Sequence, residues 1–185
     1  YSLHALATVL FDQPAYRNCL VLGHVLDQNG EKMSKHKGNV VDPWTVLHNQ
    51  GADALRWYMY TVNPPWNPSR FYAEAVSESQ RKFIGTLWNI YAFFVLYANL
   101  DEVNPLDRIV PVAERPEIDR WVVSRFHTLV REVRDRLDHY EIMAAALKIQ
   151  DFVDELSNWY VRLNRRRFWK SGADADKTAA YNTLY

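Results

Sequence analysis

Most of the chain carries apolar residues at helical spacing. These residues recur at steps of three, four and seven in the stretches 1–11, 72–100, 118–140 and 141–169. This spacing places them on one face of a helix, and such a helix packs its apolar face against a neighbour. We therefore predict a helix in each stretch, and we expect the last three to pack as an antiparallel bundle.

Residues 19–26 follow a different pattern. They form a continuous apolar run from Cys19 to Leu26 that only Gly23 and His24 interrupt. A short run rich in valine and leucine is typical of a strand buried on both faces, as in parallel sheets covered by helices. The run predicts a strand at the end of an α/β nucleotide-binding domain. Because ligands bind such domains beyond the carboxyl ends of the strands, the segment after this strand is the candidate binding loop.

Two shorter helices precede a proline-rich break. An aspartate followed by a proline predicts the start of a helix over 43–49, and a second helix covers 53–60. The prolines within 63–68 interrupt regular structure. We therefore predict a domain boundary there, with one domain over 1–66 and a helical domain over 67–185.

The charge balance limits how the chain can contact nucleic acid. Lysine and arginine together number 22, as do aspartate and glutamate, so the formal net charge is zero. No overall field attracts RNA, and any RNA contact needs a local basic patch. The single cysteine, Cys19, excludes an internal disulfide and fits a reducing, cytoplasmic compartment.

Several features are missing from the sequence. No uninterrupted apolar run reaches about eighteen residues and no basic N-terminal region is present, so we expect neither a transmembrane helix nor a signal peptide. The six histidines lack paired ligands at metal-binding spacing, so we expect no metal site. Both Tyr1 and Tyr185 lie inside predicted helices. We therefore expect a fragment of a larger protein.

A lysine-rich loop follows the predicted strand. Lys32, Lys35 and Lys37 fall within six residues, and Gly38 comes directly after them. A lysine ammonium is a compact charge on a flexible stem that suits phosphate oxygens, and glycine can adopt positive φ. The pattern predicts a mobile loop that grips and releases a polyanion. A solvated hairpin tip is the alternative.

The residues of this loop resemble a known signature. Lys32-Met33-Ser34-Lys35 is similar to the KMSKS motif of class I aminoacyl-tRNA synthetases. The blocks 38–43 and 51–56 then follow in the order found in the isoleucyl, valyl and leucyl enzymes. His36 stands where many members have serine, at a position that varies in the family.

A basic and aromatic block ends the longest predicted helix. Its cations are Arg162, Arg165, Arg166, Arg167 and Lys170, and Trp159, Phe168 and Trp169 lie among them. Arginines can contact phosphates while aromatic rings stack on bases. The alternative is a helix end whose cations offset the helix dipole and whose aromatic residues lie in the core.

The two segments 156–162 and 164–169 resemble the isoleucyl-tRNA synthetase family, which usually has arginine where this chain has Leu163. A valyl or leucyl enzyme, a non-enzymatic RNA-binding module and a purely structural bundle remain as alternatives. Salt dependence separates the last two, because phosphate contacts release counterions.

The resemblance implies a mainly α fold. The edge of a Rossmann-like α/β catalytic domain, with one or two strands, would be followed by an antiparallel helical anticodon-binding bundle. It implies that Lys32, Met33, Ser34 and Lys35 bind ATP, with Lys32 and Lys35 acting in catalysis. Met33 would anchor the loop by packing, and Ser34 would offer its hydroxyl or N–H group.

The same resemblance implies the partners and limits of the chain. The tRNA contacts would come from Arg162, Arg165, Arg166, Arg167, Lys170 and Trp169. The parent would be a monomeric, cytoplasmic ligase that uses ATP, isoleucine, tRNA(Ile) and Mg²⁺, without a membrane. Its HIGH motif is absent from this sequence and its amino acid pocket lies mostly upstream. We therefore expect this fragment to be inactive alone.

Overall fold

Helices form most of the protein, for which a computed structural model describes residues 1–172 and 174–185. In chain order the elements are α1 (Ser2–Phe11), β1 (Val25–Leu26), α2 (Pro43–Asn49), α3 (Ala52–Thr61), β2 (Ser69–Arg70), α4 (Ala73–Lys82), α5 (Ile84–Leu100), a 3-10 turn (Val112–Glu114), α6 (Glu117–Asp138), α7 (Ile142–Glu155), a π-helical turn (Leu156–Val161), α8 (Arg162–Trp169) and α9 (Ala175–Leu184). The mainly α fold with a small parallel sheet confirms the predicted fold class.

The predicted strand over Cys19–Leu26 is wrong for most of its length. Only Val25 and Leu26 pair, in parallel with β2, and the side chains of residues 20–22 are exposed. A strand buried on both faces needs covering elements and a partner on each side. Within the described residues β1 has a parallel partner of two residues only. The apolar run therefore predicted a strand that ends at Leu26, but not its length, its pairing or its burial.

The single helix predicted over 72–100 is two helices. They meet at Phe83, which closes α4 and precedes α5. Gly85, a poor helix former, lies in the first turn of α5. The Phe83 ring is buried and stacks on Trp57 with ring centroids 3.7 Å apart. The break therefore coincides with a packing contact between α3 and the bundle.

By length and composition alone, the helical stretch Ala73–Leu100 contains an 18-residue window apolar enough to cross a membrane, with a mean hydropathy of 1.4 over that window. This differs from the expectation drawn from the lack of a long apolar run. However, Ile90 packs against Val122 and Val153 in one buried cluster, and Ala98 packs against Phe168 in another. These contacts assign the stretch to the helical bundle.

Three buried clusters hold the chain together. The first, at the N-terminal end, contains Val46, Ala54, Tyr58, Phe71 and Val76. The second lies between α5, α6 and α7, and the third between α5, α8 and α9. Because the first cluster has members on both sides of residue 66, packing is continuous there. The domain boundary at that residue stays a prediction.

The long predicted helix over 141–169 is continuous but not uniform. Between α7 and α8 its backbone widens into a π-helical turn. Within this turn Tyr160 and Val161 are buried, whereas Trp159 is exposed. Such turns shift the phase of a helix, so the turn sets which side chains of α8 face outward.

Candidate functional site

The lysine loop is held at the end of a tight hairpin. Leu26 forms an isolated antiparallel bridge with Lys32, and the Asp27 N–H group donates to the Glu31 carbonyl at 2.8 Å. Gly30 closes the turn with φ of 85°, a left-handed conformation that glycine adopts without strain. The hairpin therefore starts the loop at Lys32, directly beyond β1.

The cations of the loop differ in their surroundings. Lys37 pairs with Glu31 at 3.0 Å. Lys32 and Lys35 are exposed, and neither has an acidic partner in the part of the chain that the structure describes. These two ammonium groups are the ones that remain available to an external anion.

The residues between these two lysines are anchored. Met33 is partly buried against the first cluster, as predicted for a packing anchor. The Ser34 N–H group donates to Asn39 Oδ1 at 2.9 Å, while the Ser34 hydroxyl oxygen accepts from the Lys37 N–H group at 3.3 Å. The Ser34 N–H group is therefore occupied in this conformation. Its O–H group is the remaining donor of this residue.

Asn39 and Asp27 are in contact beside the loop, which the sequence did not predict. The Asn39 amide also donates to Asp27 Oδ2 at 2.9 Å, and this hydrogen bond holds the pKa of Asp27 below its ordinary value. In the sequence, Asp27 precedes the loop and Asn39 directly follows Gly38. Their spacing of twelve residues gave no signal of contact, because the contact depends on the hairpin bringing both ends together.

The outer face of α8 is a cationic surface with exposed aromatic rings. Arg162, Arg165 and Arg166 are exposed and have no acidic partner among residues 1–172 and 174–185. Trp159 and Trp169, at the two ends of this face, are 56% and 57% exposed. The face therefore combines groups that can bind phosphates and stack on bases. Phe168, in contrast, is buried. For this residue the structure agrees with the alternative in which the aromatic side chains lie in the core.

Two other residues of the predicted RNA contact set face the protein. Arg167 Nη1 lies 2.6 Å from Asp119 Oδ1, and its Nη2 lies 2.8 Å from Asp119 Oδ2. Lys170 Nζ lies 2.6 Å from Asp174 and 3.0 Å from Asp176. Their contact with tRNA stays a prediction, but both have internal partners that the exposed arginines lack.

The buried carboxylate of Asp119 also receives the Tyr160 hydroxyl at 2.8 Å. Burial, together with this neighbouring negative charge, raises the pKa of Tyr160 far above its ordinary value. The phenol therefore stays protonated and donates to Asp119. Tyr160 and Arg167 together satisfy the carboxylate and fix α8 against α6.

No group of three or more histidine, cysteine, aspartate or glutamate side chains that could hold a metal ion occurs among the described residues. The hairpin offers Asp27 and Glu31, but the first is bonded to Asn39 and the second to Lys37. Both hairpin carboxylates therefore already have partners within the chain.

Two family descriptions match the chain. "tRNA synthetases class I (I, L, M and V)" matches residues 1–67, and "Anticodon-binding domain of tRNA ligase" matches residues 119–185. The first match contains the lysine loop and the second contains α8. The two surfaces described above therefore lie in different matched regions.

Similar proteins cover the whole chain. The isoleucine–tRNA ligase of Clostridium kluyveri is 60% identical over 185 residues, and that of Deinococcus radiodurans is 51% identical. The chain spans about 18% of the length of the first of these relatives.

Solved structures share the fold. A leucyl-tRNA synthetase from Agrobacterium radiobacter, in a ternary complex with tRNA and LeuAMS, matches 99% of this chain and 22% of its own with a TM-score of 0.72 and 21% identity. A Mycobacterium tuberculosis methionyl-tRNA synthetase in complex with methionyl-adenylate matches 87% of this chain and 31% of its own, with a TM-score of 0.69 and 25% identity. The chain belongs to the isoleucine–tRNA ligase family of class I aminoacyl-tRNA synthetases.

Proposed function

We propose that this chain is the part of an ATP-dependent isoleucine–tRNA ligase that binds the phosphates of ATP and the anticodon stem of tRNA(Ile). The observation that carries the proposal is the state of the loop cations. Lys32 and Lys35 project from an anchored hairpin without acidic partners among the described residues, whereas Lys37 forms an exposed ion pair with Glu31. The identity to isoleucine–tRNA ligases supports the choice of amino acid over valine or leucine.

The proposed chemistry needs cations in this arrangement. The isoleucine carboxylate attacks the α-phosphate of ATP, pyrophosphate leaves, and an aminoacyl-adenylate forms. Negative charge moves toward the leaving phosphates in the transition state. Ammonium groups positioned there stabilise the transition state more than the bound substrate, which accelerates the step. In this proposal Lys35 is the main cation that stabilises the transition state and Lys32 is the second. The Ser34 hydroxyl adds a hydrogen-bond donor.

The outer face of α8 is the proposed RNA surface. Arg162, Arg165 and Arg166 would contact phosphates, and Trp169 would stack on an exposed base or ribose. Arg167 and Lys170 belong to the same proposed surface. However, their internal ion pairs make their contribution to RNA affinity smaller than that of the exposed arginines.

The remaining partners belong to the whole ligase. We propose that it is a cytoplasmic monomer that binds isoleucine in a pocket built mainly by residues outside this chain. The Mg²⁺ that accompanies ATP finds no ligand cluster among the described residues, and none of the steps above depends on it. The 185-residue chain alone is expected to lack isoleucine-dependent pyrophosphate exchange, because the pocket and the HIGH motif are not part of it.

The loop is tested in the full-length ligase by isoleucine-dependent ATP–pyrophosphate exchange. Lys35→Ala should lower kcat by about 100-fold, since removing one group that stabilises transition-state charge costs factors of this order. Lys37→Ala is the matched control, because Lys37 lies in the same loop but pairs with Glu31. Equal losses in both variants would contradict the assignment.

The RNA surface is tested by binding of the 185-residue chain to tRNA(Ile), with valine and leucine tRNAs as competitors, across a salt series. Selective binding that weakens steeply with salt is expected. Equal binding of the three tRNAs would place selectivity outside this chain. Absence of binding would overturn the proposal that α8 is an RNA surface.

A further inference from the structure

The side chain of Asn39 connects three parts of the hairpin. Its Oδ1 accepts from the Ser34 N–H group at 2.9 Å, while its Nδ2 donates to Asp27 Oδ2 at 2.9 Å and to the Lys32 carbonyl at 3.4 Å. One amide group therefore joins the turn before the loop to the backbone between the two lysines. We call the contacts of Asn39 with Asp27, Lys32 and Ser34 the amide clasp.

Asp27 determines the orientation of this amide. Its Oδ1 accepts N–H groups from Asn29 and Glu31, each at 2.9 Å. A carboxylate can only accept hydrogen bonds, so the NH₂ group of Asn39 must face Asp27. The amide oxygen is then directed to the Ser34 N–H group. The Asp27 carboxylate thus determines which end of the Asn39 amide donates and which end accepts.

The clasp holds the loop backbone on both sides of Met33. The Lys32 carbonyl precedes this residue and the Ser34 N–H group follows it, while the Met33 side chain packs against the first cluster. The backbone from which Lys32 and Lys35 project is consequently anchored by polar and apolar contacts together. The flexible stems of the two lysines then have to be ordered when an anion binds.

We propose that Asn39 is a positioning residue for adenylate formation, which acts by holding the loop backbone so that Lys32 and Lys35 meet the phosphates of ATP from fixed points. The inference rests on the proposed phosphate-binding role of these lysines. Cations that are positioned before the reaction stabilise developing charge without a cost of ordering during it. Loss of the clasp should therefore lower the rate of the chemical step more than it weakens isoleucine binding.

A charge swap separates the clasp from general damage to the hairpin. In the full-length ligase, Asn39→Asp keeps the acceptor for Ser34 but places a second carboxylate against Asp27, which opens the clasp by repulsion. Adding Asp27→Asn reverses donor and acceptor between positions 27 and 39, so this contact forms with the opposite orientation, while the 3.4 Å bond to the Lys32 carbonyl is not restored. The matched control is Asn29→Ala, since the Asn29 side chain makes no hydrogen bond among the described residues.

The kinetic readout is isoleucine-dependent ATP–pyrophosphate exchange. Asn39→Asp should lower kcat at least tenfold while the KM for isoleucine is unchanged. The double variant should recover most of this loss, and Asn29→Ala should match the wild type. A wild-type kcat in Asn39→Asp, or a double variant no better than Asn39→Asp, would overturn the inference.

Hydrogen exchange of the Ser34 amide gives a readout that does not depend on activity. In the full-length ligase this amide should exchange faster in Asn39→Asp and return toward the wild-type rate in the double variant, with the unfolding midpoint unchanged. An unchanged exchange rate in Asn39→Asp overturns the inference.

A loss of kcat in Lys35→Ala with none in Asn39→Asp overturns the inference alone. A wild-type kcat in Lys35→Ala overturns the proposed function and the role assigned to Asn39.

Discussion

Arg167 and Asp119 form a bidentate ion pair between α8 and the first turn of α6. The two oxygens of Asp119 lie 2.6 and 2.8 Å from the Arg167 guanidinium, and the Asp119 side chain is fully buried. A buried charge is tolerated only when it is paired and hydrogen-bonded. This pair therefore fixes α8 in the bundle while the neighbouring arginines remain exposed.

Removing the Asp119 carboxylate should destabilise the chain strongly. Asp119→Ala leaves the Tyr160 hydroxyl without its acceptor and leaves Arg167 with Asp176, 2.9 Å from its Nη2, as the remaining carboxylate, at a cost of roughly 1–3 kcal/mol in the free energy of unfolding. Urea unfolding followed by circular dichroism measures this loss. Asp154→Ala is the control, because Asp154 is exposed on α7. Similar midpoints for the two variants would show that the pair contributes little.

Arg165 and Arg167 should separate RNA binding from stability. Arg165→Ala removes an exposed cation, so it should weaken tRNA(Ile) binding and reduce the slope of log K against log salt by about one, with unfolding unchanged. Arg167→Ala should mainly lower the free energy of unfolding, because it leaves Asp119 buried without its cation. Titrations across a salt series, together with urea unfolding, measure both quantities. Identical effects of the two substitutions would contradict this division.

The sequence predicted the elements better than their interruptions. Helical periodicity located the helices, because one apolar face per helix is a local pattern. The break at Phe83 coincides with stacking on Trp57, 26 residues earlier, and the π-helical turn coincides with burial of Tyr160 and Val161. Such contacts join residues that lie far apart in the sequence. A window along the chain does not contain that information.

The candidate site shows the same limit. The motif around Lys32 and Lys35 was visible because its residues are consecutive. The basic block of α8 was also visible, but its division into exposed and paired cations was not. Arg165 and Arg167 differ only in which side of α8 they occupy, and that side is set by the packing of Tyr160 and Phe168. The contacts of Asn39 were not predictable from the sequence, because its partners become neighbours only in the folded hairpin.

The pKa of Asp27 should report the amide clasp directly. The hydrogen bond from Asn39 is the largest influence on this carboxyl, and it lowers the pKa below the ordinary value of 3.8. Because the folded-state pKa is depressed, the stabilising contribution is present above pH 3.8 and is lost as the pH falls through the folded value. An NMR titration of the Asp27 carboxyl carbon measures the pKa of this group in the folded protein. Asn39→Ala should move the midpoint toward 3.8, whereas Asn29→Ala should not. An unchanged midpoint in Asn39→Ala would mean that the clasp does not form in solution.

Gly23 should tolerate no side chain, because the segment that leads into β2 passes directly over it. A Cβ atom at this position would lie 2.1 Å from the Asn67 carbonyl oxygen and 2.7 Å from the Pro68 nitrogen. The Gly23 N–H group donates to the Pro65 carbonyl at 2.8 Å, so the two backbones are held at this close approach. Gly23→Ala must push residues 65–68 away, which breaks this bond and strains the pairing of β1 with β2.

The expected cost of Gly23→Ala is about 1–3 kcal/mol in the free energy of unfolding, the range for overpacking of a close contact. Gly85→Ala is the matched control of opposite sign. Its added Cβ would meet its nearest neighbour, the Gln80 carbonyl oxygen, at an ordinary 3.8 Å. Since alanine is favoured over glycine in a helix by about 0.5–1 kcal/mol, Gly85→Ala should stabilise the chain. Urea unfolding of both variants measures these changes in the free energy of unfolding. If Gly23→Ala is as stable as the wild type, the backbone approach between residues 23 and 67 is wider in solution than described, and the lysine loop is then held less firmly beside β2.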